Sequence, residues 1–199
     1  MTASEAFNAN RYIVRRKVLK LVGGAFQIFD PSGNLIAFSE QKAFKLKEDI
    51  RVFTDKDKTT EILSIQARQI IDWSAAYDVY DSLTGVKVGA LRRQGGRSIL
   101  RDEWHLLDAS DAKIGMLIED SMALALVRRF LVSLIPQRYD VFMPDAENGT
   151  QVASLKQNFN PFVYKLDVDL SLDPQGRFDR RLGIAAAILL AAIEGKQRD

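Results

Sequence analysis

The sequence predicts a mainly β protein, an antiparallel meander closed into a barrel with an apolar helix threaded through it. Three observations carry this. A short unit of strand, turn and strand recurs along the chain. Its spacing is irregular, which excludes a solenoid of fixed period and suits a meander whose closure removes sheet edges. After the strands comes one helix, near 179–194, that is apolar around its whole circumference and therefore has to be enclosed on all sides.

In chain order, residues 1–10 carry no structural signal and read as a flexible tail. Tyr12 to Leu21 is rich in β-branched residues and ends at Gly23-Gly24, as a strand and a turn would. The recurring unit then begins at residues 26, 50, 77, 104 and 139. In its clearest forms it reads Phe26-Gln-Ile-Phe-Asp30-Pro-Ser-Gly33, Tyr77-Asp-Val-Tyr-Asp81-Ser-Leu-Thr-Gly85 and Trp104-His-Leu-Leu-Asp108-Ala-Ser-Asp111. The first residue and the aliphatic two places later share one strand face, because side chains alternate with period 2. Asp closes the strand by accepting from the turn backbone, and Gly or Asp beyond it tolerates positive φ. Two segments depart from the β pattern. Ser121 to Ile135, stopped by Pro136, is built of good helix formers and is almost wholly apolar apart from Arg128, Arg129 and Ser133. Asp179 is a natural N-cap for the last helix, whose many alanines keep it thin.

Composition limits the function. The chain has 199 residues, 47% apolar and 27% charged, which suits one folded domain. It has no Cys, so disulfides, thiol chemistry and zinc–thiolate sites are excluded, and its one His excludes a multi-His metal centre. The net charge of 28 − 26 = +2 offers no global field for nucleic acid. There is no secretory signal, lipidation motif or apolar run of the roughly 20 residues a spanning helix needs. A cytoplasmic protein, peripheral at a membrane if it meets one, is expected.

The stretch from Leu63 to Ala109 is the most distinctive: Leu63-Ser-Ile-Gln-Ala-Arg-Gln-Ile-Ile-Asp72-Trp73, then Tyr77-Asp-Val-Tyr-Asp81, Gly89-Ala-Leu-Arg-Arg93 and Leu100-Arg-Asp-Glu-Trp104. With Lys17-Val-Leu-Lys-Leu21, Phe26 to Gly33 and the apolar last helix, it resembles the LURP-one-related family, kin to phospholipid scramblases and to the tubby C-terminal domain. The resemblance implies a closed antiparallel β-barrel of about 12 strands around the C-terminal helix. It also implies lipid as a ligand, since tubby-type domains bind phosphoinositides and scramblases act at membranes. The chain lacks the Cys-rich palmitoylated segment and the Pro-rich N-terminal region of scramblases. Asp55-Lys-Asp57-Lys-Thr59-Thr60-Glu61 alternates oxygen donors, but Thr60 stands where a calcium loop needs Gly, so a solvated turn is expected and no metal.

No nucleotide loop, nucleophile elbow or zinc-protease motif is present, so no catalytic residue and no cofactor are assigned. His105 reads as a half-buried strand histidine, and Asp167-Val-Asp169 as a polar outer face. Two basic clusters are the ligand candidates: Arg15, Arg16 and Lys17 in the first strand, and Arg92, Arg93, Arg97 and Arg101 around Gly95-Gly96. Arginine offers phosphate a planar fork, and a Gly-Gly turn lets backbone amides approach an anion. If the second cluster binds phosphate, its arginines should converge on one concavity. In helix 122–135, Met122, Leu126, Phe130 and Leu134 form a stripe, which leaves Leu124, Val127, Arg128 and Leu131 as interface candidates. The expected function is a non-enzymatic module for anionic phospholipid headgroups. The alternative is a protein-interaction or structural module, a homo-oligomer joined through that helix.

Overall fold

A computed structural model describes residues 5–19, 23–42, 49–68, 75–94, 103–120, 136–144, 149–158 and 163–194. Twelve strands follow in order: β1 (Arg11–Leu19), β2 (Gly23–Phe29), β3 (Leu35–Lys42), β4 (Ile50–Phe53), β5 (Glu61–Ala67) and β6 (Ala76–Asp81). They continue with β7 (Lys87–Arg93), β8 (Glu103–Leu107), β9 (Lys113–Glu119), β10 (Arg138–Met143), β11 (Thr150–Asn158) and β12 (Tyr164–Asp169), and one helix, α1 (Arg180–Glu194), ends the series. Every strand pairs antiparallel with its sequence neighbour, and β1 pairs with β12, so the meander closes into the expected barrel. Its core is apolar and its outer wall carries charge, the inverse of a barrel whose wall faces lipid. Among the described residues, no helix is long and apolar enough to cross a membrane.

Because direction alternates, the connections fall at two ends. The five recurring units are the hairpins β2–β3, β4–β5, β6–β7, β8–β9 and β10–β11, and all of them close at one end, the turn end. Their chemistry is local. Asp30 Oδ1 accepts from the Asn34 amide (2.8 Å), Asp81 Oδ1 from those of Leu83 (2.9 Å) and Thr84 (3.1 Å), and Asp108 Oδ1 from those of Ser110 (2.8 Å) and Ala112 (2.9 Å). The positive φ that follows is supplied by Gly85 (70°) in one turn and by Asp111 (69°) in another. In all five hairpins the pairing register shifts just before the turn, at Ile28/Phe29, Val52/Phe53, Val79/Tyr80, Leu106/Leu107 and Val141/Phe142. Such bulges add twist, and repeated around a sheet they curl it toward closure.

The period-2 reading of the unit holds. Phe26, Ile50, Tyr77, Trp104 and Tyr139 are all buried, and so are Ile28, Val52, Val79, Leu106 and Val141 two places on, so both face the inside of the barrel. Inside them lies α1. Its 15 residues span about 22 Å at 1.5 Å per residue, and every side chain from Leu182 to Ile193 is buried. The helix packs on β1 and β12 and on the facing β6 and β7. Asp179 caps it, accepting from the Arg181 amide (2.9 Å), and Arg181 also reaches Asp81 Oδ2 (2.7 Å) at the end of β6. The helix therefore enters at the turn end and points its C-terminus to the far end.

The expected tail does not hold for its described part. Residues Glu5–Phe7 make a 3-10 turn, Ala6 is 1% exposed within the core, and the Asn10 carbonyl accepts from the Leu170 amide (2.7 Å). Asn10 Oδ1 also accepts from Arg180 Nη2 (2.6 Å). Asn10 thus meets the chain where it passes from β12 toward α1, and Ala6 belongs to the hydrophobic core.

On the outer wall of β6 and β7, charges cancel. Arg68 Nε donates to Asp78 (2.7 Å) and its Nη2 to Asp111, while Lys87 Nζ donates to Asp111 (2.7 Å) and lies 3.0 Å from Asp78. Hydrogen bonds from Lys87 and then Arg68 hold the Asp111 carboxyl down to about 2. Burial pushes Asp78 up, but Arg68 and Lys87 outweigh it and leave it below the ordinary range. Such depressed carboxyls stabilise the fold above the unfolded value of about 3.9, and that stability is lost as pH falls through the folded value. The melting temperature should show no loss from this network down to about pH 4 and fall between pH 4 and about 2. A Lys87→Gln protein should show a shallower acid slope; one parallel to wild type would mean the network does not couple to folding.

Candidate anion-binding surface

Arg15, Arg16 and Lys17 are consecutive in β1, so they cannot share a face. Arg15 and Lys17 stand outward, and Arg16 points inward at 3% exposure, opposite Phe26 and Tyr164. Arg92 and Arg93 divide the same way. Arg92 is outward, opposite His105, and Arg93 is inward, opposite Trp104. Burial raises the Tyr77 phenol above its ordinary value, and the nearby charge of Arg93 partly offsets that. Arg16 and Arg93 both have partners within the chain. The expected convergence of the second cluster on one concavity thus fails for Arg92 and Arg93, because adjacent strand residues diverge.

Nor do the two clusters meet. β1 and β7 lie six strands apart in either direction around the closed sheet, so their outer faces look away from each other. They share only an end: Arg93 closes β7 at the far end, and Lys17 is near that end of β1. Arg97 and Arg101 lie outside the described residues, as do Leu124, Val127, Arg128 and Leu131. β7 and β9 end, and β8 and β10 begin, at the far end.

The pairing of β1 with β12 brings in two cations that the sequence alone does not single out. Lys165 is directly opposite Arg15, and the next strand, β11, places Asn158 beside Lys165 and Lys156 beside Asp167. All these residues are outward, alternating with inward Leu166, Val168, Leu155 and Gln157. Arg15, Lys17, Lys165 and Lys156 have no ion pair among the described residues, and Arg15 Nε is buried without a hydrogen-bond partner there. Elsewhere on the wall, pairing is common: Arg11 with Asp169 (3.1 Å), Arg51 with Glu61 (2.8 Å) and Arg138 with Asp140 (3.0 Å). The one acid among the four is Asp167. Asp169, the other half of the Asp167–Asp169 pair, is engaged with Arg11 and Ser171. Burial raises its carboxyl, but the Ser171 hydroxyl and amide and Arg11 hold it below its ordinary range.

His105 is on the opposite wall. Its Nδ1 is 2.9 Å from Gln94 Nε2 and its Nε2 3.2 Å from Glu103 Oε1, so both ring nitrogens are engaged. Asp55 works as a turn anchor, accepting from the Thr59 amide (3.2 Å) and from the Thr54 (3.0 Å) and Thr59 hydroxyls. Among the described residues no cluster of acids and His could hold a metal ion.

A twelve-stranded antiparallel barrel filled by the helix that follows its last strand, with a basic face on its outer wall, defines the class of protein. The profile of the LURP-one-related family matches residues 37–190, from β3 into α1, and the chain belongs to that family. Nothing among curated proteins or solved structures matches it.

Proposed function

We propose that this barrel is a membrane-surface module that binds anionic phospholipid headgroups through the outer wall of β1. The observation that supports this best is that Arg15 and Lys17 stand outward, unpaired among the described residues, near the far end of the barrel. A desolvated or unpaired cation gains more from a phosphate than one already held by a carboxylate. Clustered basic residues near an anionic leaflet contribute about 1 kcal/mol each. Flotation with vesicles containing phosphatidylserine tests it. An Arg15→Gln, Lys17→Gln protein should lose most binding at an unchanged melting temperature, while Arg92→Gln, on the opposite wall, should bind as wild type. Loss in the Arg92 protein and not in the β1 protein would place binding on the other side.

A further inference from the structure

We infer that the basic wall reads the charge density of a bilayer and not the stereochemistry of one phosphorylated headgroup; this rests on the lipid-binding reading above and names its ligand class. The four cations Arg15, Lys17, Lys165 and Lys156 are spread over three neighbouring strands, β1, β12 and β11. From Lys17 to Lys156 is two strand spacings, about 10 Å across, and four residues, about 13 Å along the strands. No single phosphate touches all four at that spread. The outside of a closed barrel is convex, so these side chains splay apart and do not enclose a headgroup.

The residue types point the same way. Three of the four are lysines, point charges on flexible stems that settle on whichever phosphate is near, whereas stereospecific recognition favours opposed planar forks. Arg15 is the one fork present, half-buried between the strand neighbours Lys165 and Gln27. Asp167 sits one row toward the turn end, beside Lys156 and opposite Ile13, so the field strengthens toward the far end, where among the described residues no acid pairs directly across from Arg15, Lys165 or Lys17. A flat, dense array of monoanionic headgroups such as phosphatidylserine complements this arrangement, and all four charges then act within about one Debye length, ~8 Å, of the surface.

The test compares phosphatidylserine vesicles with phosphatidylinositol-bisphosphate vesicles of equal total charge, with soluble inositol trisphosphate as competitor. The expected result is equal binding to both, a steep loss with added salt, and no displacement by the soluble headgroup. A Lys156→Gln, Lys165→Gln protein should bind both vesicle types about 25-fold more weakly, at about fivefold per charge. Lys156→Arg, Lys165→Arg should bind as wild type, since it conserves charge while changing shape. Preference for the bisphosphate at matched charge, displacement by the trisphosphate, or unchanged binding of the glutamine variant would each overturn the inference while leaving lipid binding standing. Failure of the wild type to bind either vesicle would defeat the lipid reading itself, and this inference with it.

Discussion

Replacing Leu189 with aspartate is expected to leave no folded protein. Leu189 is 1% exposed near the middle of α1, with Ile188 and Leu190 equally enclosed, and the helix touches facing walls of the barrel. A carboxylate there would replace an apolar side chain within the hydrophobic filling of the barrel. An uncompensated buried charge costs several kcal/mol, a large part of the roughly 5–15 kcal/mol by which a domain is stable. Leu189→Met, which conserves volume, should cost less than about 1.5 kcal/mol and serves as the control. Soluble yield and circular dichroism decide the matter: an aspartate variant that melts with wild type would mean that the helix is not enclosed.

The second large effect is expected at Gly89 in β7, which faces Leu182 of α1. A Cβ at this position would lie 2.3 Å from the Leu107 carbonyl oxygen and 3.1 Å from a Leu182 methyl. The methyl can swing aside, but the oxygen belongs to the backbone of β8 and moves only if the β7–β8 pairing opens. Gly89→Val should therefore cost about 3 kcal/mol or more, a fall in melting temperature of about 10 °C for a chain of this size. A Leu182→Ala change added to it should recover little, because the tighter contact is with backbone. Full recovery would show that crowding against the helix dominates.

The barrel and its filling were legible because their signals are local. An inward residue, an aliphatic two places on and an Asp-anchored turn define each hairpin, and the helix apolar on every side has one solution in water. The register shifts before each turn were not legible, since Phe29 and Tyr80 look like ordinary strand residues. Neither was the fixing of residues 5–10, where the partners of Asn10 are Leu170 and Arg180, far along the chain. The candidate surface was half legible. Arg15 and Lys17 stand out in the sequence as basic residues, but strand alternation turns their neighbours Arg16 and, in β7, Arg93 inward. Lys165 and Lys156 sit in alternating segments that resemble any solvated strand. Only the closure of β12 on β1, the pairing farthest apart in sequence, makes them neighbours of Arg15.

The threading of α1 also sets the order in which the molecule can be made. The inward residues of the barrel, from Phe26 to Tyr139, have nothing to pack on until residues 180–194 exist, and β1 has no outer partner until β12 follows. Translation proceeds at about 5–20 residues per second, so about 8–30 s separate the synthesis of β2 from that of α1. The closed barrel with its filled interior therefore cannot exist until β12 and α1, the last elements of the described chain, have both been made.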